Sequence, residues 1–88
     1  FDAETIALNV YPNPVTDEAV IRLDHFASAG LKNLSVNIYD TNGKLIYTET
    51  ELQRSIIMLD HSLFSPGMYF VEVVNKDKRL ASEKMMVK

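Results

Sequence analysis

Turn-forming residues interrupt this chain every few positions, and the apolar residues between them show no helical period. What remains are short runs rich in β-branched and aromatic residues. The strongest interruption is Asn42-Gly43, which has an alternating run on each side. Both residues tolerate positive φ, as a tight hairpin requires, so residues 34–40 and 44–50 are expected to pair as one antiparallel hairpin. In the first of these runs Leu34, Val36 and Ile38 alternate with Ser35, Asn37 and Tyr39, the period of a half-buried strand.

The same reasoning extends along the chain. Residues 6–11 read as a first strand closed by Pro12-Asn13-Pro14, where two prolines remove backbone donors and favour extended neighbours. Residues 18–24 follow, with Ala19, Ile21 and Leu23 on one face and Glu18, Arg22 and Asp24 largely on the other. Val20 spoils that alternation, so the outer face is expected to be partly covered. Residues 26–32 are open between a loop and one turn of helix. A short strand at 55–59 precedes Ser65-Pro66-Gly67, which supplies Pro and Gly for a type II turn. Residues 68–74 have the density of a central strand, 75–78 form a polar turn, and 79–87 return as the last strand. Such spacing predicts an all-β, immunoglobulin-like antiparallel β-sandwich of about seven strands. Its core is expected from Leu8, Val10, Ile21, Leu23, Val36, Ile38, Leu45, Ile57, Leu59, Val71 and Val73. At 88 residues the chain holds one domain, residues 6–88, with residues 1–5 as a linker remnant.

Composition narrows the functions. A net charge of −3 gives no basic surface for phosphates, so no nucleic-acid partner is expected. There is no cysteine, which excludes disulfides and thiolate chemistry. The longest apolar runs, residues 56–59 and 68–71, are far short of the ~20 residues of a membrane helix. No basic stretch leading into an apolar one opens the sequence, so an export route would have to start upstream in a longer parent. His25 and His61 each follow an aspartate, but neighbours on an extended chain point to opposite faces and form no dyad. Asp60-His61-Ser62 has the residue types of a triad without its geometry. Asp40-Thr41-Asn42-Gly43 imitates half of a calcium loop and lacks the later glutamate, and a hairpin turn explains it. No catalytic residue, metal or cofactor is expected. Tyr39 and Tyr47 flank one turn and would share a face, either as a sugar platform or as cross-strand packing partners.

From Val10-Tyr11-Pro12-Asn13-Pro14 onward the chain resembles the type A C-terminal sorting domain of the type IX secretion system of Bacteroidota. The family's Asp-x-x-Gly-Lys turn is matched by Asp40 to Lys44, and its Pro-Gly-x-Tyr-hydrophobic segment by Pro66-Gly67-Met68-Tyr69-Phe70-Val71. Its hydrophobic and lysine tail is matched by Lys84-Met85-Met86-Val87-Lys88, with methionines where Val or Ile is commoner. The resemblance implies a secretion signal, covalently part of a larger cargo protein. It would be recognised by the outer-membrane translocon and usually cut away by a cell-surface sortase. The route would run through the periplasm to the cell surface or the medium, with a homodimer as a possible further partner. The recognition residues it implies are Pro12, Asn13, Pro14, Gly43, Lys44, Gly67, Tyr69, Lys84, Met85, Met86, Val87 and Lys88. The alternative is an adhesive or carbohydrate-binding sandwich appended to an exported enzyme. Because terminal residues usually fray, Val87 and Lys88 are expected to contribute little to the fold.

Overall fold

The computed structural model describes residues 8–11, 15–23, 26 and 30–88. Among these residues seven strands are present, in chain order β1 (Asn9–Tyr11), β2 (Glu18–Arg22), β3 (Leu34–Asp40), β4 (Leu45–Glu49), β5 (Ile56–Asp60), β6 (Gly67–Asn75) and β7 (Lys78–Val87). They form a three-stranded sheet in the order β1-β2-β5 and a four-stranded sheet in the order β4-β3-β6-β7. Every pairing between strands is antiparallel. The expected sandwich is therefore the observed fold. The linker assigned to residues 1–5 lies outside the described residues.

Alternation in each strand sorts its side chains between the core and the outside. Val36 and Ile38 of β3 face Ile21 and Ile57 of the other sheet's strands within one buried cluster, which also takes in Val71 and Val73 of β6. All but one of the expected core residues are buried. The exception is Leu45, which is 47% exposed. The register of β3 on β4 shifts between Ile38 and Tyr39, so Leu45 lies across from outward-facing Tyr39 while Tyr47 lies across from Ile38. A β-bulge thus turns Leu45 to the outer face. The same bulge separates the two tyrosines, which were expected to share a face.

The hairpin turn also differs in kind from the Asn-Gly expectation. Positive φ falls on Gly43, at 83°, and not on Asn42. Gly43 N donates to Asp40 O, and Asp40 N donates to Lys44 O, both at 3.0 Å. This is a three-residue loop in which a β-turn is followed by a left-handed glycine. Asp40 holds it in place, since its Oδ1 accepts from Asn42 N and Lys44 N, each at 2.9 Å. Gly67 has the expected positive φ, but at 149° it is extended beyond the ~80° of a type II turn. It already belongs to β6, where it pairs with Val87.

Two segments without strand character complete the core. Beyond β2, Phe26 is buried, and a short 3-10 turn over Leu31–Asn33 leads into β3. Beyond β4, Glu51 takes a left-handed φ of 51°, and the next residue, Leu52, is fully buried. A left-handed residue turns the chain sharply, which is how a solvent-facing edge strand delivers the next side chain inward.

Candidate recognition surface

The family-like segments are distant in sequence and adjacent in space. In the four-stranded sheet Gly67, Met68, Tyr69 and Phe70 pair in register with Val87, Met86, Met85 and Lys84. On the other side of β6, Asp40 pairs with Tyr69 and Tyr39 with Phe70. The Asp40–Lys44 turn, the Pro-Gly-x-Tyr segment and the tail therefore lie side by side at one end of one sheet. Pro12, Asn13 and Pro14 lie outside the described residues. Tyr11 ends β1 in the three-stranded sheet, and Val15 bridges Val87 of the four-stranded sheet in parallel. Val15 N donates to Met86 O at 2.6 Å, and Lys88 N donates to Val15 O at 2.9 Å.

This end separates into residues that hold it together and residues it displays. Tyr69, Met85 and Val87 point inward and are buried. The Tyr69 ring meets Phe64 edge-on at 5.2 Å, and its hydroxyl donates to Ser65 O at 2.6 Å. The Pro-Gly-x-Tyr spacing puts the hydroxyl back on the carbonyl that precedes the proline, which closes the entry to β6. Val87 is only 2% exposed, with β6 on one side and Val15 on the other. The expectation that Val87 would fray fails, because a hydrogen-bonded neighbour on each side fixes the last strand to its end. Lys84, Met86 and Lys88 alternate with the buried pair and are exposed, as are Gly43 and Lys44 at the turn.

Sequence reasoning missed two members of this surface. Exposed Phe70 sits between Tyr39 and Lys84 in one row across the sheet, and half-buried Met68 lies beside Met86. Strict alternation from buried Tyr69 would have found both. Beyond them the same face is polar. Thr48 Oγ1 donates to Asn37 Oδ1 at 2.7 Å, and Asn37 Nδ2 and Tyr39 OH each donate to Glu72 Oε1 at 3.2 Å. Burial and the Glu72 carboxylate together raise the Tyr39 hydroxyl above its ordinary pKa. The outer face is thus half apolar, near the tail, and half a fixed polar ladder.

The other candidates have structural uses. Asp60 caps the 3-10 turn His61–Leu63, with its Oδ1 accepting from Ser62 N at 2.8 Å. That bond holds the Asp60 carboxyl below the usual carboxylate range. His61 N donates to Asp17 O at 2.8 Å, tying the turn to the start of β2. His25 lies outside the described residues. Tyr47 OH donates to Glu49 Oε1 at 2.6 Å on the core side of β4, while Tyr39 faces outward, so the two make no common platform.

Comparison with known proteins places the chain in a family. The profile of the family described as "Secretion system C-terminal sorting domain" matches residues 9–88. The chain is 31% identical over 87 residues to ulvan lyase NLR42 of Nonlabens ulvanivorans, covering 98% of this chain and 15% of that enzyme. It is 27% identical over 81 residues to an endo-acting ulvan lyase of Formosa agariphila, covering 92% of this chain and again 15% of the enzyme. No solved structure gives a significant match. The family match covers all seven described strands, and the similarity to each lyase spans a small part of that enzyme's length. The chain therefore belongs to the type IX secretion system C-terminal sorting domains, the signal modules of exported proteins, and is not itself an enzyme.

Proposed function

We propose that the end of the four-stranded sheet built from the tail, the Pro-Gly-x-Tyr segment and the Asp40–Lys44 turn is what the outer-membrane translocon reads. The supporting observation is the alternation of the tail across one register. Met85 and Val87 anchor it, while Lys84, Met86 and Lys88 are presented beside Met68 and Phe70. Apolar side chains flanked by lysines suit a partner groove with an apolar floor and an acidic rim. Gly43 and Lys44 extend the same end, and Pro12, Asn13 and Pro14 belong to the same signal. A cell-surface sortase then cuts on the amino-terminal side of the sandwich, releasing the domain from its cargo. The relatives are named ulvan lyases, which makes an ulvan lyase the proposed cargo. The carbohydrate-binding alternative has lost its aromatic platform, since Tyr39 and Tyr47 take opposite faces.

The test is secretion of a reporter fusion in a type IX-competent host, paired with thermal melting of the purified domain. A variant carrying Lys84→Glu, Met86→Ser and Lys88→Glu is expected to melt close to the parent and to be secreted poorly. Full secretion of that variant would remove the tail surface from the signal. Normal secretion of a reporter lacking residues 6–88 altogether would show that the domain is dispensable for export.

A further inference from the structure

Among the described residues the sandwich has three other sheet edges, each protected, whereas the outer edge of β5 is not. On β7 the exposed charges of Lys78, Arg79, Glu83 and Lys84 punctuate the edge, and Val15 occupies its end. On β4 a bulge breaks the register. β1 is three residues long and lies against β7. Charges, bulges, short strands and cover are the usual ways a sheet edge is kept from pairing with another chain. β5 uses none of them along residues 56–59. Its register with β2 runs unbroken over five residues, and no strand lies on its far side among the described residues. Ile56 and Met58 are exposed at 40% and 56%. An open groove lined by Gln53, Arg54, Ser55, Ile56 and Met58 borders it, with no β2 residue in its wall.

The backbone faces the right way for pairing. Ser55 O accepts from Leu23 N, and His61 N donates to Asp17 O, so the odd-numbered residues spend their groups on the β2 side. By alternation, the N–H and C=O of Ile56, Met58 and Asp60 point to the open edge. The side chains then specify what fits. Outward along the strand run Arg54, Ile56, Met58 and Asp60, with a cation at one end, an anion at the other and two apolar residues between. Turned antiparallel about Ile57, this row complements itself. Ile56 meets the second copy's Met58, and Arg54 meets the second copy's Asp60, twice over by symmetry. The same pairing joins the row Tyr11, Val20 and Met58 to the row Ile56, Arg22 and Asn9 of the second copy, across six strands.

We propose that the β5 edge is a self-association site, at which a second copy of this chain adds antiparallel to extend the three-stranded sheet. A five-residue edge buries less than the ~1,200 Å² typical of stable complexes, so the association is weak and concentration-dependent. Equilibrium sedimentation of the whole chain up to about 1 mM tests it, because weak pairing needs high concentration to populate. The parent is expected to shift from one chain mass towards two. Arg54→Asp puts like charges across the pair at both symmetric positions and should weaken association roughly tenfold. The double variant Arg54→Asp with Asp60→Arg reverses both charges and should recover it. Thermal melting of each variant checks the fold: Arg54→Asp changes an exposed side chain and should melt with the parent, while the double variant also loses the Asp60 cap on His61–Leu63 and should melt somewhat lower but still cooperatively. A single chain mass at every concentration overturns the proposal, as does a dimer indifferent to Arg54→Asp. A dimer weakened by the single change and not recovered by the double one overturns the Arg54–Asp60 register.

Discussion

Backbone conformation at Gly67 and the hydroxyl of Tyr69 act together at the entry to β6. A Cβ on Gly67 would meet nothing within 4 Å, so only its φ of 149° opposes substitution. Gly67→Ala is expected to lower stability by about 1–3 kcal/mol through backbone strain alone, measured by denaturant unfolding. Tyr69→Phe keeps the ring contact with Phe64 and loses the bond to Ser65 O, and is expected to cost about 1 kcal/mol. Tyr47 gives a pH test. Its pKa is pushed up to about 12 by burial first, then by the hydrogen bond and charge of Glu49. The folded chain thus holds this proton more tightly than the unfolded chain, where tyrosine titrates near 10. The stability from that difference is whole below pH 10 and is lost as the pH rises towards 12. The melting temperature of the parent should therefore fall more steeply across this interval than that of Tyr47→Phe. Parallel curves would show that Tyr47 ionises freely in the folded state.

Among the elements, the last strand carries the clearest division of labour. Val87→Ala removes buried methyl groups beside Val15 and Gly67 and is expected to cost about 2 kcal/mol. Lys88→Ala changes an exposed side chain and should stay within about 0.5 kcal/mol. Equal losses from both would mean that the tail is not packed as described. The strands themselves were legible because alternation and turn residues are local. Val36 and Ile38, or Ile57 and Leu59, announce their faces without knowledge of any partner. What failed was what depends on a neighbour. Leu45 obeys the alternation of its own strand, and only the slip against β3 turns it outward. Val87 looked like a fraying end because nothing near it in sequence reveals that Val15, over seventy positions earlier, lies against it. Leu52 sat in a segment without pattern, since a single left-handed residue leaves no period to read. The candidate surface was half legible for the same reason. The motifs were visible one by one, while their meeting at one end of a sheet is a property of the pairing.

At the level of the whole molecule, most of the structure is held by partners distant in sequence. β2 lies on β5, and β3 lies on β6, across about thirty to forty residues in each case. Folds of this kind close long loops before any contact rewards them, so refolding is expected in milliseconds to seconds by stopped-flow and not in microseconds. The seam between Val15 and β7 adds a constraint of timing. Chains are made from the amino end at roughly 5–20 residues per second, and domains tend to fold as units. Here one of the earliest described segments has its sheet partner at residues 86–88. While the ribosome is still adding β7, Val15 has nothing to bridge, β6 has one bare side, and the inward row of Met85 and Val87 does not yet exist. The sandwich can close only when synthesis has passed its final strand, so an emerging chain remains pliable until nearly the last of these residues is in place.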